Sequence, residues 1–353
     1  MADSRQQALT VVLPVRSGEG AALERVLEER RETVLAKLRG VGSLHFGRFV
    51  VVPARERHQG GPDESAKALL LFESSFDGSY EAHATELRRE LGGELDGMIS
   101  HCEGGGSAFE APFRAGARRA AAFFSAHPRL SVAEIRDDAQ LRARFSHFLR
   151  QERAALVSKA PREIVETARA ALGVSHTDTA PLGAGLGGAR RAPLLELVGL
   201  LPLLARATLN DLSDFFHALW TDRKLAVGLQ DRFEGDAGNG GGQRALTHVV
   251  ELKPGRFRRR ALAAALRFVD ARFRAAQAPF GSSHFARWVD LGDGRLAFLC
   301  HHDGSLEAEL GTFVERLATL VTFVWSNTRD FPASFGPLFG GARDEACFKH
   351  WAR

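Results

Sequence analysis

Residues 42–54 read GSLHFGRFVVVPA, and residues 281–291 read GSSHFARWVDL. Each follows a long stretch of helical spacing, and each puts a histidine, an aromatic residue and an arginine on one short run of strand-forming residues. Outward from this pair the likeness continues. FESSFDGSYEAH (72–83) answers FLCHHDGSLEAE (298–309), and ALTVVLPV (8–15) answers ALTHVVELKPG (245–255). Three matches in one order, offset by 237, 239 and 226 residues, indicate an internal duplication.

The period of the apolar residues assigns elements to each copy. In the first, residues 8–15 predict a strand and 21–39 a helix with Leu23, Leu27, Val34 and Leu38 on one stripe. Residues 44–52 and 68–75 predict two more strands, and Ser79 caps a helix over about 80–92. LDGMISHC (95–102) reads as a fourth strand. In the second copy, strand 246–252, helix 255–276, strands 283–291 and 295–301, a helix after Ser305 and a last strand at 319–326 repeat the order. Strand–helix–strand–strand–helix–strand is the ferredoxin-like unit. Both helices of such a unit cover one sheet face, so the other face needs a partner. The expected fold is α+β, with two ferredoxin-like repeats pairing face to face as an intramolecular dimeric α+β barrel. The division is 1–106 for the first repeat, 107–244 for a helical insert and Gly-rich linker, and 245–353 for the second repeat with a C-terminal helix. Within the insert, helices are expected at 111–125, 131–158, 161–172 and 193–221.

Composition narrows the classes. A chain of 353 residues with 44% hydrophobic and 25% charged residues has the profile of a globular protein, and three unpaired-looking cysteines exclude a disulfide scaffold. The start MADSRQQALT lacks the apolar core of a signal peptide, and the longest apolar run, 192–209, is interrupted by Glu196, Pro202 and Arg206. A cytoplasmic protein, peripheral to the inner membrane, is the expectation.

The motifs differ in weight. Gly183, Gly185 and Gly188 have dinucleotide spacing, but GVSHTDTA before them has no strand character, so they read as a loop. The duplicated set His45, Arg48, Asp77 and His284, Arg287, Asp303 gives the catalytic candidates. By strict alternation His45 and Arg48 point to opposite faces, so each arginine needs a carboxylate, with Asp77 and Asp303 proposed. Because the set recurs in both copies, a role in holding the units together outweighs catalysis. CHHD (300–303) breaks the likeness between copies, and Cys300 with His302 on one strand face are metal candidates; a site needs three or four ligands, so the rest would have to come from distant residues such as His284 or His248. The helix 253–277 carries Arg256, Arg259, Arg260, Arg267 and Arg274 opposite an apolar stripe, suited to an anionic membrane surface. It has no interleaved aromatic platform, so nucleic acid is not expected.

KPGRFRRRAL, HFARWV, the DGS turn, VWSNTRDFP and GGARDEACFKHWAR, within the duplicated order of elements, resemble an uncharacterised bacterial family and, more distantly, the dimeric α+β barrel superfamily of chlorite dismutases, dye-decolourising peroxidases and small monooxygenases. The resemblance implies haem and oxidative chemistry. Haem members of that superfamily take their axial histidine from a helix of the C-terminal unit, and neither second-copy helix here has one. His83, His147 and His217 lie on helices elsewhere and are the haem-ligand candidates. The leading expectation is a ligand-binding, non-catalytic protein associating with a membrane surface or a protein partner. The alternative is a haem-dependent or cofactor-free oxidoreductase, peroxidase- or monooxygenase-like, using the cavity between the sheets.

Overall fold

The computed structural model describes residues 6–54, 67–105, 110–174, 242–275, 282–335 and 339–352. The expected helix 193–221, the apolar run 192–209, the loop at 183–188 and His217 lie outside these residues. The chain is an α+β protein with two four-stranded antiparallel sheets. In the first sheet β2 (Leu44–Val52), β3 (Leu69–Asp77), β1 (Gln6–Pro14) and β4 (Ala117–Arg118) lie in that order. In the second the order is β5 (Ala122–Ser125), β7 (Ser283–Asp290), β8 (Arg295–Asp303) and β6 (Gln243–Glu251).

The two halves share their pairing residue by residue. Gln6 faces Asp77 and Pro14 faces Leu69, while Gln243 faces Asp303 and Glu251 faces Arg295. A β-bulge falls between Leu44 and Phe46 and again between Ser283 and Phe285. The isolated bridges Val15–Cys102 and Leu252–Thr328 occupy corresponding positions.

Three apolar clusters build the layers. Leu9, Val11, Leu70 and Phe72 pack with Leu23, Leu38, Leu87, Leu91 and Leu95 on the helix side of the first sheet. Val250, Trp288, Leu296 and Phe298 pack with Leu266, Val269, Phe313, Val321 and Trp325 on the helix side of the second. Val12, Val52, Leu69 and Leu71 meet Val289, Leu291, Ala297 and Leu299 between the sheets.

Several expected elements are corrected. Residues 95–102 are not a strand: the helix α3 (Tyr80–Ile99) runs on as far as Ile99, burying Leu87, Leu91, Leu95, Met98 and Ile99 at helical spacing, and only Cys102 makes an isolated bridge, to Val15. Residues 319–326 likewise belong to the helix Leu306–Trp325, which buries Leu310, Phe313, Leu317, Val321 and Val324. A short apolar run reads alike as buried strand or buried helix, and here the continuing stripe decides. The expected helix 21–39 is two, Gly20–Glu29 and Arg31–Gly40, parted at Arg30.

The expected helix 111–125 ends at Gly116, and residues 117–125 are extended. Ala117 and Arg118 pair with β1, then Ala122–Ser125 pair with β7, so one crossing strand belongs to both sheets. Gly116 makes that crossing close: a Cβ there would lie 2.7 Å from Leu13 Cδ2 and 2.8 Å from the Val12 carbonyl oxygen. Gly116→Ala is expected to cost about 1–3 kcal/mol by overpacking, readable as a lower urea midpoint.

Candidate functional site

The bulges decide where the duplicated residues point. Leu44 packs on the helix side, yet Phe46, two residues on, stacks on His301 and His284 of the other half. The extra residue, His45, is therefore turned toward the second half, with its ring 5.5 Å from that of Phe285. Strict alternation, which put His45 and Arg48 on opposite faces, fails at this bulge.

The carboxylate partners are corrected with it. His45 Nε2 lies 2.8 Å from Asp77 Oδ1, and the other Asp77 oxygen accepts the Val132 N–H at 2.6 Å. His284 Nε2 lies 3.0 Å from Asp303 Oδ2, off the hydrogen-bonding direction. Asp77 and Asp303 thus serve the histidines, and both arginines turn to Glu73. Arg48 Nε donates to Glu73 Oε1, Arg287 Nε is 3.8 Å from Oε2, and His301 Nε2 is 3.6 Å from Oε1. Arg48 also reaches the Leu246 carbonyl at 2.8 Å, and Arg287 reaches the corresponding Leu9 carbonyl at 3.0 Å. Arg287 further donates to the Ser74 carbonyl and the Ser75 hydroxyl.

Glu73, Arg287 and His301 are 1%, 0% and 4% exposed, so this cluster is sealed between the sheets. Burial alone would raise the Glu73 carboxyl, but the charged Arg48 and Arg287 beside it outweigh that and hold it below the usual carboxylate range. Burial also drives His301 down to about 3, against the pull of Glu73, so its imidazole is neutral. Together with the valine and leucine cluster, these side chains fill the middle of the inter-sheet space.

The open space lies at one end of the strands. A cavity of about 820 Å³ is lined by both bulge histidines, by the corresponding pairs Gln6 and Gln243, and Phe46 and Phe285, and by His127. Leu35, Leu38 and Arg39 of the helix Arg31–Gly40 form one wall, and Val132, Ile135 and Arg136 of α5 (Val132–Gln151) form another. Ser131 and Glu134 close a capping box at the start of α5, which aims its Val132 amide at Asp77.

The remaining candidates do not join the site. His83 is buried with Nδ1 on Ser43 Oγ and Nε2 on Ser74 Oγ, and its ring stacks on Phe76, so neither nitrogen is free for haem iron. His147 is exposed on α5 and does not line the cavity. Of the haem-ligand candidates, the two described, His83 and His147, therefore do not join the site. Cys300 faces the helix-side core, 3.7 Å from Ser283 Oγ, and burial pushes its thiol far up. Among the described residues no three His, Cys, Asp or Glu side chains gather to hold a metal ion. Arg256, Arg259, Arg260, Arg267 and Arg274 are all exposed on the helix Arg256–Ala275, with Arg274 2.7 Å from Asp270. No described helix is long and apolar enough to cross a membrane.

Sequence reasoning overlooked Glu73, His301 and the Gln6–Gln243 pair. The signal for Glu73 was visible: an acid in FESSFD stands where FLCHHD has Leu299.

Fold and site define a two-sheet α+β protein with an end cavity carrying two histidine–aspartate pairs. No protein-family profile, curated protein or solved structure matches the chain.

Proposed function

We propose that the chain is a duplicated, ferredoxin-like α+β protein whose halves pair in the manner of a dimeric barrel, and that it binds an amphipathic small molecule with an acidic head. The observation that carries this reading is the end cavity, where both bulge histidines meet apolar walls and two arginines. Leu35, Leu38, Leu130, Val132 and Ile135 suit a hydrocarbon body, while Arg39 and Arg136 at the wall suit an anionic group. Asp77 supports His45 and the α5 amide supports Asp77, which fixes the imidazole for hydrogen bonding to a bound ligand. The packed middle of the inter-sheet space and the engaged nitrogens of His83 favour binding over haem oxidation.

Titration calorimetry with a medium-chain fatty acid tests the reading. Saturable binding is expected, weakened at least about tenfold by Arg136→Glu, in keeping with loss of one charged hydrogen bond. Absence of binding, or equal binding by the variant, would count against the acidic-head assignment.

The exposed arginine row on Arg256–Ala275 separately supports peripheral contact with anionic lipid. Co-sedimentation with phosphatidylserine vesicles is expected at low salt and lost at high salt. Absence of binding at low salt would remove this part.

A further inference from the structure

The two histidine–aspartate pairs at the end cavity correspond in sequence but not in build. His45 Nε2 lies 2.8 Å from Asp77 Oδ1, and the N–H of Val132, the first residue of α5, holds the other Asp77 oxygen at 2.6 Å. The His45 side chain is 3% exposed. In the second pair His284 Nε2 makes no hydrogen bond among the described residues, and its side chain is 26% exposed. No described backbone amide donates to the Asp303 carboxylate. The fold has oriented one imidazole and left its counterpart loose. A role confined to joining the halves gives no reason for that difference.

Asp77 also selects the tautomer of His45. The carboxylate accepts the Nε2 proton, so the neutral ring carries its lone pair on Nδ1. Nδ1 makes no hydrogen bond among the described residues, yet it is not one of the sealed, unpartnered atoms such as His248 Nε2. It therefore keeps contact with solvent, on a residue that lines the cavity. An imidazole with one nitrogen on a carboxylate and the other open to a cavity is equipped as a general base. Among the described residues lining this cavity there is no serine, threonine or cysteine, so water is the nucleophile within its reach.

We propose that the end cavity hydrolyses carboxylic esters of a medium-chain acid, with His45 as general base and Asp77 as its positioning residue. This rests on the binding reading above, with the acidic amphiphile now the product. Nδ1 takes a proton from water as the water oxygen bonds to the acyl carbon. The tetrahedral oxyanion then collapses, the bond from the acyl carbon to the alcohol oxygen breaks, and the imidazolium returns its proton to that oxygen. Ester and water become acid and alcohol with no further reactant. Arg39 and Arg136 are the cations at the wall for the oxyanion and then for the product carboxylate, and Leu35, Leu38 and Ile135 take the acyl chain.

The probes are p-nitrophenyl octanoate for turnover and octanoate for binding by calorimetry. The parent protein should hydrolyse the ester with saturation, and more slowly in heavy water, because a proton moves in the step that attacks the ester. His45→Gln, which keeps an N–H for Asp77, should lower kcat at least about 100-fold. Its octanoate affinity should fall no more than about tenfold, the worth of one hydrogen bond. A parent that binds octanoate but does not turn over the ester would overturn this proposal and leave the binding reading standing. A parent that does neither would remove both. Undiminished kcat in His45→Gln would overturn the assignment of the base. Equal kcat in ordinary and heavy water would overturn it without recourse to any variant.

Discussion

Glu73→Ala is expected to lower the unfolding free energy by about 3–5 kcal/mol, because it strips the single acid from between two guanidinium groups and leaves that of Arg287 buried without a counter-charge, while Arg48 is only half-buried. That is a large share of the roughly 5–15 kcal/mol that holds a domain folded. Arg287 has no route to water at 0% exposure, and its carbonyl partners at Leu9 and Ser74 cannot neutralise it. The triple change Glu73→Leu, Arg48→Met, Arg287→Met removes every charge together and should come within about 1–2 kcal/mol of the parent. Urea unfolding of the two proteins checks the pair of results. Equal losses in both would mean that packing at these positions, and not the unpaired charge, sets the cost.

The second large effect is on acid stability. His83 and His248 are held down to about 4 and His301 to about 3, in each case chiefly by burial. Folded imidazoles with depressed values stay neutral while the unfolded chain takes up protons near pH 6.5, so stability falls as pH drops through that range. With three such groups the slope approaches roughly 4 kcal/mol per pH unit between about pH 6 and 4. Glu73 adds to the loss only lower, below the ordinary carboxylate range, where its ion pairs begin to protonate. Unfolding midpoints measured from pH 7 to 4 should show this slope. His248→Phe should reduce it by about one proton, since that ring sits against Trp325 and Trp351 and keeps its apolar contacts. A flat profile would contradict the neutral, buried state assigned to these rings.

Much of the architecture could be read before any coordinates. The six long strands emerged from alternation and from the duplication, because their inward faces are apolar over nine residues with few interruptions. The two expected fourth strands failed because Leu95, Met98 and Ile99, or Val321 and Val324, are apolar in a way that suits strand and helix alike. Residues 117–125 were hidden for the opposite reason: ARRAAAFFS has the composition of a helix and becomes a strand only because two sheet edges flank it. In the site, His45 with Asp77 and His284 with Asp303 were legible as a recurring set. Their geometry was not, since a bulge is a property of pairing between strands that lie far apart in the chain. The same limit concealed Glu73 as the partner of Arg287, which stands 214 residues away.

The lone acid at the heart of the molecule also fixes who can partner whom. Two copies of residues 243–352 brought together in the same way would set one Arg287 against another, with Leu299 where the neutralising group should be. Two copies of residues 6–105 would carry two Glu73 and two Arg48, a balanced set. Cut into separate polypeptides, the C-terminal piece should therefore stay monomeric or seek the N-terminal piece, while the N-terminal piece can associate with itself. Whatever symmetric ancestor the matching strands descend from, its C-terminal descendant has given up self-sufficiency.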